Sequence, residues 1–326
     1  MQCPTKTLWL LVTILLTTWT LGSANAQAVI VEHLNFGTNA ATGVKPAMVV
    51  ATLYLPRETK PVSVMVIVSS SGGVLDYIEG YYARELSNRG VAALIVDSFN
   101  PRSVRKTIED QSLVSSWDME NDAFAALNIL RNDRRIDANH IGIMGLSKGG
   151  GVAQNAALSG RGRWRGTGDL VFAAHVAIAP DCVAQPRNPR TTGRPILYML
   201  AELDDATPAR SCVEYAERLR AAGNAGIVVK SHKGANHNWE DTRAVSFLAK
   251  AENFSHCPAV IEDDGAWVMA GGRGPIFRRP EDVFAWRRTN CRILGYHVGG
   301  GNETLKREAI GEIIQFLHGS GFSTGG

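Results

Sequence analysis

Gly145-Leu146-Ser147-Lys148-Gly149 follows an apolar run, Ile141–Met144, and opens a stretch with a helical pattern, Gly149–Ser159. A serine with a glycine two positions to either side, between a strand and a helix, is the sequence form of a nucleophile carried on a sharp turn. Strand and helix come so close at such a turn that a side chain at Gly145 or Gly149 would collide with them. The helix that follows directs its first N–H groups and the positive end of its dipole at the reacting centre. The chemistry implied is attack of a hydroxyl on a carbonyl carbon.

A hydroxyl needs a base to take its proton and an acid to orient the base. On a strand–turn–helix site both follow the serine in the chain. Carboxylates cluster where the apolar run Ile196–Leu200 ends, in Ala201-Glu202-Leu203-Asp204-Asp205-Ala206-Thr207-Pro208. Asp204 and Asp205 are candidates there, and Asp181, after Phe172–Ile178, is a third. Two histidines, His232 and His237, follow the run Ile227–Lys230 in a loop containing Gly234 and ending near Trp239. Arg102, Arg105 and Lys106 come after another apolar run. All three are candidates to face the pocket, where an arginine such as Arg102 would pair with a substrate carboxylate; a solvated basic loop is the alternative. Trp239 and Trp267 either line a pocket or cover the core. Lys148 is either a catalytic amine or a side chain turned to solvent.

These residues need a frame that brings chain ends of strands together. Strand patterns fall at Ala28–His33, Met48–Leu55, Val62–Val68, Val91–Val96, His140–Met144, Phe172–Ile178, Ile196–Leu200 and Ile227–Lys230. Amphipathic helices are expected at Tyr77–Asn88, Trp117–Arg131, Gly149–Ser159 and Cys212–Ala222, with a last one at Leu305–His318. Val91–Val96 and His140–Met144 are continuously apolar, as strands buried on both faces of a parallel sheet are. The alternation predicts an α/β fold, a mostly parallel sheet of about eight strands with helices on both faces. Sites in such sheets lie beyond the C-terminal strand ends.

Residues 244–301, rich in Gly, Trp and Arg, show no clean period and read as an excursion from a single domain spanning 27–326. Residues 1–26 read as a cleaved signal peptide: a basic start, the apolar run Leu8–Leu21, and Ala24-Asn25-Ala26 at its end. That predicts an exported protein, periplasmic or secreted. Four cysteines follow it, and export favours two disulfides, read as Cys182–Cys212 and Cys257–Cys291. No spacing of Cys and His suits a metal, and no cofactor is expected. A formal charge of +3 over 326 residues gives no electrostatic case for nucleic acid or an anionic membrane as partner.

Taken together, these segments resemble the dienelactone hydrolase family of α/β-hydrolases. The likeness rests on Arg134-Arg135-Ile136 through Gly149-Gly150, on Ala201–Pro208, on Gly234-Ala235-Asn236-His237-Asn238-Trp239, and on Asp97-Ser98-Phe99-Asn100-Pro101-Arg102. It spans roughly Val62–Trp239 and the last helix. The family's acid stands four residues before a proline, which implies Asp204. Its histidine stands two before an aromatic, which implies His237. It also implies an oxyanion hole built from the N–H of Lys148 and one from Ser70–Gly73, here Ser71 or Gly72. Dienelactone hydrolases proper carry a cysteine where Ser147 stands, so the lactonase activity of that name is not implied.

The expectation is an exported serine hydrolase acting on a small-molecule ester, lactone or thioester through Ser147, His237 and Asp204. An exopeptidase on the same fold and a non-catalytic binding protein that kept the fold are the alternatives.

Overall fold

The computed structural model describes residues 29–41 and 43–324; the signal-like segment lies outside them. An eight-stranded sheet runs through the middle of the chain in the order β1-β2-β4-β3-β5-β6-β8-β9. Its strands are β1 (Val29–Gly37), β2 (Met48–Pro56), β3 (Val62–Val68), β4 (Ala92–Asp97), β5 (Ile136–Leu146), β6 (His175–Ile178), β8 (Ile196–Ala201) and β9 (Ile227–His232). A short β7 (Ala184–Pro186) lies outside it. The pairs β1–β2 and β2–β4 are antiparallel and all the others parallel. The predicted α/β-hydrolase fold is therefore the observed one.

Alternation along β3 shows how the sequence makes two cores. Val64, Val66 and Val68 enter one hydrophobic cluster, while Met65 and Ile67 enter another. The first cluster is closed by α2 (Ser116–Leu130) and α3 (Lys148–Ala156), and α5 (Ala209–Ala221) continues that face with Tyr215 and Leu219 against Tyr198 and Leu200. The opposite face is closed by α1 (Tyr81–Ser87) and α8 (Glu303–Gly319), through Tyr82, Leu86, Ile310, Ile313 and Leu317. Ser115 caps α2 reciprocally with Asp118. A short α4 (Arg161–Trp164) follows α3; its Arg161 pairs with the buried Glu120 of α2.

The helix expected from Tyr77 begins later. Asp76–Gly80 forms a wider π-type turn before α1, with the Glu79 side chain turned inward. There it accepts the N–H groups of Ser70 and Leu75 at 3.1 and 2.8 Å.

From β3 the chain moves to β4 on one side and later to β5 on the other, so the loops after β3 and β5 face each other at a switch point. Val68 pairs with Gly145 there, which sets Ser69–Gly73 beside Ser147.

Residues 244–301 are built from short pieces. Strand β10 (Ser246–Phe247) pairs with β16 (His297–Val298), and β11 (Glu252–Asn253) with β15 (Ile293–Leu294). Strands β12 (Ala259–Ile261), β13 (Trp267–Val268) and β14 (Ile276–Phe277) form a sheet that the β7 segment joins. Two helices complete it, α6 (Met269–Gly272) and α7 (Pro280–Asn290). Cys182 is bonded to Cys212 and Cys257 to Cys291. The first bond ties the segment after β6 to α5, and the second ties the end of α7 to the stretch before β12.

Candidate active site

Ser147 has φ 56° and ψ −116°, a conformation few non-glycine residues adopt, at the junction of β5 and α3. The neighbouring glycines answer to contact. A Cβ at Gly149 would lie 2.2 Å from the Val68 carbonyl oxygen, and one at Gly145 would lie 2.5 Å from the Gly149 carbonyl carbon. The turn lifts Oγ of Ser147 to 2.8 Å from Nε2 of His237. Nδ1 of His237 lies 2.8 Å from Oδ2 of Asp204. With Nδ1 carrying the proton it donates to Asp204, and Nε2 is left to accept from the serine hydroxyl.

Asp204 is held in turn. Its Oδ1 accepts the N–H groups of Ala206 and Thr207 at 2.9 and 2.8 Å, and its Oδ2 accepts the Thr207 hydroxyl at 2.8 Å. The edge of Tyr296 packs against the His237 ring at 5.2 Å between centroids. Burial opposes the charged imidazole, but the charge and hydrogen bond of Asp204 outweigh it, and the pKa of His237 lies above its ordinary value of 6.5.

The other candidates are placed elsewhere. Asp205 binds His297, N–H and ring nitrogen alike, and Asp181 faces Arg287 at 3.3 Å. His232 stacks on Trp239 at 5.0 Å, with Nε2 3.5 Å from Glu312. Trp239 is fully buried in the hydrophobic cluster on the α1 and α8 side of the sheet. Arg102 does not reach the pocket either. Its guanidinium grips both oxygens of the buried Asp122, at 2.7 and 2.9 Å, and the Ser98 carbonyl. A strand-end arginine that meets a buried carboxylate is drawn inward, since leaving that charge unpaired would cost several kcal/mol. Trp267, by contrast, does line the cleft.

The backbone N–H groups expected to serve as donors near Ser147 differ in how they are engaged. Lys148 occupies the first helical position of α3, where an N–H has no acceptor within its own helix. In the loop after β3, Ser70 N–H is committed to Glu79 and Gly72 N–H to Ser70 Oγ at 3.2 Å. That leaves Ser71, of the two residues expected, as the one not so engaged; it lines the cleft on both sides of Ser147.

Several contacts near the centre had no signal in the sequence. The Lys148 side chain is turned neither to solvent nor to Ser147. Its ammonium donates to Thr107 Oγ1 at 3.1 Å, to the Gln111 carbonyl at 2.9 Å and to the Val114 carbonyl. Burial holds its pKa down at about 7. The same loop holds Ser71, since Thr107 N–H donates to the Ser71 carbonyl at 2.7 Å and the Gln111 amide to Ser71 Oγ at 2.9 Å. Burial pushes the Glu79 carboxyl up to about 7 despite its two backbone donors.

The cleft has two lobes that share Ser71, Ser147, His237 and Tyr296. A narrow lobe of about 110 Å³ runs under the excursion to Arg287, and a wide lobe of about 630 Å³ opens between Leu75 and Leu248. Among the described residues no His, Cys, Asp and Glu gather as a metal site, and no helix is long and apolar enough to cross a membrane.

A model of the dienelactone hydrolase family matches residues 49–257. Among curated proteins, YcjY of Escherichia coli (strain K12), of uncharacterized function, is 29% identical over 115 residues, 34% of this chain and 37% of that one. The mitochondrial acyl-coenzyme A thioesterase 2 of Rattus norvegicus is 30% identical over 142 residues, 43% of this chain and 29% of that one. The chain thus spans about a third of the length of the curated relatives it matches. Among solved structures, the α/β hydrolase MGS-M1 from a Medee basin deep-sea metagenome library superposes with a TM-score of 0.48 at 17% identity, over 65% of this chain and 86% of that one. The thermophilic esterase Est2 of Thermogutta terrifontis gives 0.47 at 15% identity, over 67% and 85%.

Proposed function

The chain belongs to the dienelactone hydrolase family, and on that premise we propose that it is an exported serine hydrolase of carboxylic esters, lactones or thioesters. The observation that carries this reading is the continuous relay from Ser147 Oγ through His237 to Asp204, with both links at 2.8 Å. Ser147 attacks the carbonyl carbon as His237 Nε2 takes the hydroxyl proton, and Asp204 holds the imidazolium that forms. The oxyanion is received by the N–H groups of Lys148 and Ser71. On collapse His237 returns the proton to the departing alcohol or thiol, leaving an acyl-serine. Water, deprotonated by His237, then releases the acid. The reading calls for no metal or cofactor, and its partner is a small-molecule substrate. Two disulfides support export, since such bonds persist in oxidising compartments.

A fluorophosphonate probe tests this directly: an adduct on Ser147, absent in Ser147→Ala, is the expected result. Hydrolysis of an activated ester by that variant should fall by roughly 10⁴-fold or more. Unchanged turnover would remove Ser147 from the reaction. Parallel aminoacyl-amide substrates separate an exopeptidase, and a protein that neither labels nor turns over is a binding module.

A further inference from the structure

The two lobes meeting at Ser147 differ in chemistry. Leu75, Ile108, Leu248 and Val298 make the wide lobe largely apolar. In the narrow lobe Arg287 reaches in from α7, its guanidinium 4.5 Å above the Phe254 ring and 5.9 Å from that of Trp267. It is buried, yet its Nε has no partner. Asn155 of α3 lines the same lobe and leaves Oδ1 buried and equally unpartnered. Buried polar atoms are almost always satisfied. A lobe whose lining residues leave one donor and one acceptor unpartnered suits a ligand supplying both.

Charge decides what kind of group that is. Lys148 and Arg287 line the lobe together with Asp181 and Glu252, so the formal charges of its lining cancel. Arg287 is already compensated by Asp181 at 3.3 Å, and an added anion would sit against that carboxylate. An alkyl group would leave the buried atoms of Arg287 and Asn155 without a hydrogen bond. Hydroxyl groups donate and accept at once and carry no charge.

On the strength of the serine hydrolase reading above, we propose that the substrate is an ester with a neutral, polyhydroxylated group on one side of the scissile carbonyl, seated in the narrow lobe, and an apolar chain on the other, seated in the wide lobe. The hydroxyls bridge Arg287 and Asn155, and hydrolysis separates a polyol or hydroxy acid from its apolar partner.

The test is a matched panel: the hexanoyl ester of glycerol against hexanoyl esters of propanol and of 3-hydroxypropanoate, and hexyl 2,3-dihydroxypropanoate against hexyl propanoate. In one of the two orientations the hydroxylated ester should exceed its alkyl match in kcat/KM by about tenfold or more. Arg287→Met and Asn155→Leu should each narrow that ratio severalfold. Because both substrates are read on one preparation, the ratio is insensitive to how much of a variant folds. Equal rates for hydroxylated and alkyl esters in both orientations, or a preference for the carboxylate, would overturn the proposal. So would a ratio that both variants leave unchanged. Failure of the catalytic reading would show separately, as an enzyme whose Ser147 takes no fluorophosphonate.

Discussion

The ammonium of Lys148, one residue past Ser147, donates to the carbonyl oxygen of Gln111 at 2.9 Å. Gln111 in turn holds the hydroxyl of Ser71, so the turn carrying Ser147 and the loop after β3 are fastened through one side chain. Ser71 N–H and Lys148 N–H are the two donors proposed for the oxyanion, and on that proposal their separation depends on this fastening. Preorganised donors act on the transition state more than on the bound ester.

Lys148→Met should therefore lower kcat by roughly 10–100-fold while KM stays nearly constant. The pH profile adds a second reading. Burial holds the amine near a pKa of about 7, so on the alkaline side it loses a proton and with it one of its three bonds. Activity should decline there, and the variant should lack that decline. Stability runs the other way. From about 7 to 10.5 the unfolded chain binds the extra proton, so this group's contribution rises with pH. A methionine variant with wild-type kcat would show that the loop is held by other contacts.

His237 sets the acid limb. It must be neutral to accept the serine proton, and Asp204 holds its pKa above 6.5, so kcat/KM should rise through a midpoint above that value. Asp204→Asn should lower the rate by about 10³–10⁴-fold and move the residual limb downward. The same raised pKa contributes stability that is complete below the ordinary histidine value and is lost as pH rises through the folded one. An acid limb unmoved by Asp204→Asn would separate Asp204 from the imidazole.

What was legible in the sequence was whatever depends on neighbours in the chain. The strands follow from alternation and apolar runs, and β3 and β8 start where their patterns do. Gly145 and Gly149 disclosed the turn because contact forbids anything larger. Asp204 and His237 were narrowed by their place after β8 and β9, and resemblance separated them from Asp205 and His232. Contacts between distant segments were not legible. Arg102 promised a pocket cation because Asp122, twenty residues on, carries no mark of being buried beside it. Lys148 promised solvent because its acceptors are two carbonyls and a hydroxyl of a patternless loop. Arg287 and Asn155 have no meaning until the excursion folds back over the sheet.

Glu79 supplies a prediction about stability with a definite sign. Its carboxyl, raised by burial from 4.5 to about 7, binds a proton in the folded state that the unfolded chain releases. Between those values stability from this group is full at the acid end and falls as pH rises. Glu79→Gln should flatten that slope, measured as the difference between urea midpoints at about pH 5 and about pH 7.5. The amide oxygen still accepts one N–H, so the loop carrying Ser71 should loosen only partly and kcat should fall a fewfold. A variant as pH-dependent as the parent would mean that Glu79 is ionised throughout.

Gly149→Ala tests the geometry on which the nucleophile depends. The added methyl group would meet the Val68 carbonyl oxygen at 2.2 Å and that of Ser69 at 2.7 Å. Both belong to backbone, so neither can swing away, and β3 or α3 must shift. Overpacking of this kind costs typically ~1–3 kcal/mol, more where only backbone can yield. The shift also pulls Ser69–Gly73 from Ser147, separating the Ser71 donor from the nucleophile. A lowered melting temperature with loss of both ester hydrolysis and fluorophosphonate labelling is expected. An alanine variant that melts with the parent and labels at its rate would show that strand and helix do not approach as closely as these contacts require.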